Sequence, residues 1–260
     1  MATDLLHVVG ASLIAATLAM VLTALVARRL GKVSVVDITW GLLFVLIAWV
    51  SYAVGTGSGR SLLIALLVTA WGGRLAWHIR RRALGAGEDP RYEKILAEAP
   101  EGQRFGFAVR KVFLVQGVAA WFVSLPVQVA AATNQPVGWI AALGVLVWLI
   151  GVTFEAVGDA QLASFKADPS TTGQIMDRGL WAWTRHPNYF GDSAAWWGLF
   201  LIAAETWPGV LTVLSPVLMT YFLAFATGAR LLESEMAKRA GYPDYQRRTS
   251  MFFPLPTKAS

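Results

Sequence analysis

The stretch Arg178 to Asp192, RGLWAWTRHPNYFGD, gathers Arg178, Arg185, His186, Asn188, Tyr189 and Asp192, with Pro187 and Gly191 as backbone punctuation. It lies between two apolar runs. A charged group at membrane depth costs roughly 2.5–3.5 kcal/mol on insertion scales, so a cluster of them entering a helix marks a functional site. Guanidinium groups bind phosphate bidentately and stay charged, which suits an anionic, phosphate-bearing ligand. A polar loop meeting lipid headgroups accounts for Arg178 and Arg185. It gives no reason for His186, Asn188 and Asp192.

Similar polar stripes recur at helical spacing. Glu155, Asp159 and Lys166 share a face, as do Asn188 and Asp192, Thr227, Arg230 and Glu233, and Arg74, His78 and Arg81. Four helices with polar faces at one depth predict a shared wet cavity, because ionisable groups facing lipid are disfavoured. The competing reading is a set of interhelical ion pairs, such as Asp159 with Lys166. Trp181, Trp183, Trp196 and Trp197 either line that cavity or belong to the interfacial aromatic belt.

The elements that must position these groups are membrane spans. Of 260 residues, 56% are hydrophobic and 15% charged, against about 25% charged in ordinary globular domains. Runs long enough to cross a bilayer are expected near 5–27, 35–55, 61–79, 112–132, 137–165, 189–204 and 209–232. The expected fold is all-α, one integral membrane domain over 1–260 with about seven transmembrane helices, a large cytoplasmic loop at 80–111 and a cytoplasmic tail at 233–260. Lys and Arg crowd the connections after spans one, three and five and the tail. The positive-inside rule then puts the N-terminus outside and the C-terminus in the cytoplasm.

Other chemistries are poorly served. There is no cysteine, and the three histidines, His7, His78 and His186, lie far apart, so no metal site is expected. No GxGxxG follows a strand. The net charge of +6 sits beside apolar spans, which points to membrane lipids as partners and not to nucleic acid.

RHPNYFGD, with LWAWT before it, resembles the steroid 5α-reductase family, in particular its bacterial branch of membrane proteins. The resemblance covers nearly the whole chain from the second span. It includes WGGRLAWHIRRRALGAGEDPRY, FLVQGVAAWFVSLP, GDAQLASFK, LLESEM and GYPDY. RHPNY-like motifs also occur in isoprenylcysteine carboxyl methyltransferases and phospholipid methyltransferases. The resemblance implies a seven-helix bundle in a bacterial inner membrane, holding NADPH in a cytoplasm-facing cavity. Asp159, Lys166 and Asn188 match its cofactor-side positions, and Arg178, Arg185, Arg230 and Tyr245 its remaining ones. Arg74, His78, His186, Tyr189, Asp192 and Glu233 join this cofactor-binding set from the stripes and the motif.

The implied chemistry is hydride transfer to the β-carbon of an enone in a lipid-soluble, steroid-like substrate, with an acid at the carbonyl. The family associates that acid with a glutamate in the second helix and a tyrosine in the third. Here the catalytic candidates are Asp37, Trp71 near the tyrosine's expected place, and Tyr92. Asp37 also fits a capping box with Ser34. An S-adenosylmethionine-dependent methyltransferase and a non-enzymatic membrane protein are the alternatives.

Overall fold

The computed structural model describes residues 2–226 and 228–257, so Thr227, expected on a polar stripe, lies outside the described residues. Among those residues the secondary structure is helical, with one isolated bridge between Thr184 and Ser250. Six helices are long and apolar enough to cross a membrane: Ala2–Leu30, Val35–Val54, Gly59–Ala83, Arg104–Val123, Trp139–Ala167 and Trp207–Met236. The chain is an all-α polytopic integral membrane protein.

In chain order, α1 is Ala2–Leu30, α2 Val35–Val54, α3 Gly59–Ala83, α4 Pro90–Ala97, α5 Arg104–Val123 and α6 Leu125–Ala131. Then follow α7 Trp139–Ala167, α8 Pro187–Ala204, α9 Leu214–Tyr221, α10 Ala229–Met236 and α11 Tyr242–Arg248. Two expectations change. The sixth expected span, 189–204, corresponds to α8, an 18-residue helix that is not among the six, because its opening Pro187–Asp192 is polar. The fourth span begins at Arg104 instead of near 112, through a π-turn at Val109–Phe113, and stops at Ser124, where Pro126 opens α6.

The expected loop at 80–111 is therefore largely helical. Arg80, Arg81 and Arg82 occupy the last turn of α3, where cations complement the helix dipole. In α4, Asp89 accepts from the Arg91 amide as N-cap and Pro90 takes the first helical position.

The chain divides into two compact units. The first holds Met1–Val137 with Thr206–Thr212, and the second Gly138–Glu205 with Val213–Ser260. In the first, α2 and α3 approach so closely that a Cβ on either Gly41 or Gly72 would run into the other's backbone carbonyl. In the second, α7 and α8 pack antiparallel along a glycine seam. Gly144 faces Gly198, Gly151 faces Gly191, and Gly158 faces Pro187 and Asn188. Small residues of this kind let backbones approach where the hydrophobic effect cannot drive association.

Candidate functional site

In the first unit, the head of α2 is capped from outside the helix. Ser34, at its N-cap, makes no side-chain cap bond, so the capping-box reading of Ser34 and Asp37 fails. Glu88 takes the role instead, its carboxylate accepting from the amides of Val33 and Ser34. Lys32 reaches the carbonyls of Ala83 and Ala86 at 3.5 and 3.0 Å, fastening the same junction.

Asp37 is thereby released from capping. Its Oδ1 accepts a hydrogen bond from the Tyr92 hydroxyl, and its Oδ2 accepts from Arg91 Nη2 at 2.8 Å. Gln116 Nε2 donates to the Tyr92 oxygen at 3.0 Å. Tyr92 is 5% exposed, while the Asp37 side chain keeps 18% of its surface accessible. Burial, and then the neighbouring Asp37 charge, push the Tyr92 phenol well above the ordinary tyrosine range, so it keeps its proton. Arg91 is in turn held by Asp89 through Nε–Oδ1 and Nη2–Oδ2 contacts of 3.0 and 2.9 Å, and lies 5.6 Å over the Tyr92 ring. Two of the three catalytic candidates thus meet.

Trp71 does not join them. It is fully buried and meets Phe44 edge-on, with centroids 5.5 Å apart, which makes it a packing residue of the α2–α3 contact. Arg74 and His78 follow on the same helix and are half-buried in the first unit, whereas the other cofactor-side candidates belong to the second.

In the second unit four side chains converge on Glu233. Its carboxylate accepts from Arg185 Nε and Nη2 at 2.9 and 2.8 Å, from Tyr242 Oη at 2.7 Å and from Gln246 Nε2 at 2.6 Å, and faces His186 Nε2 at 2.9 Å. Arg185 Nη1 donates to the carbonyls of Gln246 and Thr249, and the Tyr245 hydroxyl donates to the Trp181 carbonyl at 2.5 Å. The tail is stitched to the motif as well, through Arg185 N to Ser250 O and the Thr184 hydroxyl to the carbonyls of Met251 and Phe252. Arg185, His186, Glu233 and Tyr245 were expected to touch a cofactor. The structure engages them with one another and with the tail, because a buried guanidinium needs a carboxylate and carbonyls around it.

The remaining candidates divide by exposure. Asn188 donates to Asp159 Oδ1 at 3.1 Å and accepts from the Tyr189 amide through its own Oδ1. Asp159, Asp192 and Glu155 are buried at the polar end of the glycine seam, and Tyr189 stacks on His186 with centroids 5.5 Å apart. Lys166, Arg178 and Arg230 are exposed; Arg178 Nη2 donates to Gln174 and its guanidinium lies 5.8 Å from the Phe165 ring centre. Trp181 donates to the Gly158 carbonyl at 3.0 Å and Trp197 to Thr220 at 3.1 Å, Trp196 is core, and Trp183 is exposed. Among the described residues no group of three or more His, Cys, Asp or Glu is placed to hold a metal ion.

Four groups carry this arrangement without having been singled out from sequence: Gln116, Glu88, Tyr242 and Gln246. Gln116 interrupts an apolar run, which is the one signal that could have found it. A polar amide inside a membrane helix needs a partner.

Compared with known families, residues 23–249 match a family described as "Protein of unknown function (DUF1295)". Neither the curated proteins nor the solved structures gave a match.

Proposed function

The chain belongs to the DUF1295 family of proteins of unknown function, and from that premise we propose that it is an NADPH-dependent membrane reductase. Its substrate is a lipid-soluble, steroid-like molecule carrying an activated carbon–carbon double bond, an enone. The observation that carries this reading is the buried Tyr92 hydroxyl held between Asp37 and Gln116. A phenol so placed is a proton donor in an apolar setting, which is what enone reduction requires beyond hydride. Lys/Arg placement supports a cytoplasm-facing site, with the N-terminus outside, in a bacterial inner membrane.

The residues of the second unit fit a dinucleotide bearing phosphates. Lys166, Arg178 and Arg230 are exposed cations, and Asn188 and Tyr189 supply an amide and a ring in the same unit. Arg185, His186 and Tyr245, being engaged elsewhere, position the start of α8, which carries Asn188. Lys166, Arg178 and Arg230 would hold the phosphates of NADPH, which when bound would supply the hydride. In the first unit Tyr92 would turn its hydroxyl from Asp37 to a carbonyl oxygen and pass its proton to it, with Gln116 and the Arg91 guanidinium steadying the phenolate. The enol so formed would move that proton to its α-carbon, and Tyr92 would recover a proton from water by way of Asp37.

The test is a thermal-shift titration of the detergent-purified protein against NADPH, NADH and S-adenosylmethionine. A ligand at a hundredfold excess over Kd stabilises the native state by roughly 2.7 kcal/mol. Stabilisation by NADPH, with oxidation of NADPH on adding a lipophilic enone, supports the reading. Stabilisation by S-adenosylmethionine alone replaces it with methyl transfer.

A further inference from the structure

A second feature of the first unit is independent of any reductase activity. Helices α1 and α5 run antiparallel and touch at three levels. Arg28 lies 5.1 Å over the Phe105 ring at one end, Met20 packs against Gly117 in the middle, and Trp121 donates to the Val9 carbonyl at 3.3 Å at the other. The Arg28 end collects exposed cations from both helices: Arg28 and Arg29 close α1, while Arg104, Arg110 and Lys111 open α5. Among the described residues none of these five forms an ion pair, in contrast to Arg91, Arg185 and Arg248, which do. The nearest acids in the chain, Glu98 and Glu101, are exposed and leave the cluster with an excess of positive charge.

What lies beside the cations is apolar. Leu25 and Val21 follow Arg28 back along α1, and Leu114 and Val118 follow Arg110 along α5 at one-turn spacing, all exposed. A patch of guanidinium groups continued by two exposed aliphatic ridges has the shape of a phospholipid, charged at one end and apolar below. Cation–π seating of Arg28 on Phe105 keeps that guanidinium at the mouth of the seam.

We propose that the α1–α5 seam binds one anionic phospholipid. Arg28, Arg104 and Lys111 hold the phosphate, and the acyl chains lie along Val21, Leu25, Leu114 and Val118. Guanidinium and ammonium select the phosphate charge, and the aliphatic ridges select a lipid over a free phosphate ester.

The test uses the full chain, delipidated in neutral detergent and placed in nanodiscs of phosphatidylcholine with or without phosphatidylglycerol, read by thermal midpoint and by native mass spectrometry. The expected result is a higher midpoint and one retained phosphatidylglycerol per protein. The triple variant Arg28→Gln, Arg104→Gln, Lys111→Gln lowers lipid affinity on the order of 100-fold, because each cation near a headgroup counts. The variant Arg80→Gln, Arg81→Gln, Arg82→Gln, at the end of α3, leaves the retained lipid in place and controls for net charge. Equal retention of phosphatidylcholine overturns the proposal, as does phosphatidylglycerol retained by the triple variant. An equal shift from soluble glycerol 3-phosphate overturns it too, by making the site one for phosphate alone. Should the triple variant fold poorly, Val21→Asn with Val118→Asn tests the acyl lane: loss of the retained lipid supports it, and unchanged retention refutes it.

Discussion

Tyr92 and Asp37, 55 positions apart, share a hydrogen bond that ties a short helix outside the spans to the head of α2. Because Tyr92 is the donor, the two groups form a polarised pair and not a passive contact. Tyr92→Phe removes the proton and little else. Turnover of an enone is expected to fall by roughly 10²–10⁴-fold, the usual contribution of a positioned acid, with NADPH affinity unchanged. Steady-state oxidation of NADPH checks the first expectation and calorimetry the second. Undiminished turnover in the variant would remove Tyr92 from the chemistry.

Glu233 makes the second unit sensitive to a single change. In Glu233→Ala the Arg185 guanidinium stays buried without its carboxylate, a loss of about 3–5 kcal/mol for breaking a buried pair. The thermal midpoint in detergent should drop sharply. The double change Arg185→Met, Glu233→Leu should recover part of it, since neither charge then remains. A double variant no more stable than Glu233→Ala would show that the carbonyl contacts of Arg185 dominate.

Two adjacent glycines in α3 should respond in opposite directions. A methyl group at Gly72 meets the backbone of Gly41, and overpacking of that kind costs about 1–3 kcal/mol. A methyl group at Gly73 meets nothing within 4 Å, and Gly73→Ala should stabilise the helix by about 0.5–1 kcal/mol. Paired melting curves of the two variants decide it.

The cap on α2 predicts a pH dependence. Partial burial alone would raise the Glu88 carboxyl, but bonds from the Ser34 side chain and from the amides of Val33, Ser34 and Asp89 outweigh it and lower the group below its ordinary 4.5. A carboxyl with a depressed folded-state pKa stabilises fully above the unfolded value and loses that contribution as pH falls through the folded one. The midpoint of wild type minus that of Glu88→Gln should therefore be positive and level above about pH 5. It should shrink below 4.5. A difference that is flat across that range would place the cap elsewhere.

Much of this was legible in the sequence. Apolar run length marked the membrane-crossing helices, since a bilayer fixes span length by thickness alone. Asp37 and Tyr92 were legible as acids, although Ser34 and Asp37 also matched a capping pattern that local spacing could not reject. Only the fold shows Glu88, 54 positions from Ser34, taking that cap. The cluster at 178–192 was legible as a cluster, but not in what it does: exposed Arg178 and buried Arg185 look alike in sequence, and their difference is set by Glu233 and by tail carbonyls far along the chain. The glycine seam was written as Gly144, Gly151 and Gly158 at seven-residue spacing, with Gly191 and Gly198 opposite. Polar periodicity drew the eye away from it.

The stitching of the tail to the motif also imposes an order in time. Arg185 is made 48 residues ahead of Glu233 and 64 ahead of the Thr249 carbonyl that completes its shell. At synthesis rates of about 5–20 residues per second, the guanidinium waits several seconds beside the membrane for its partners. The second unit is thus closed by chain made well after the motif, and a polypeptide interrupted before Tyr242 is released with a buried cation and its carboxylate still lacking half their shell.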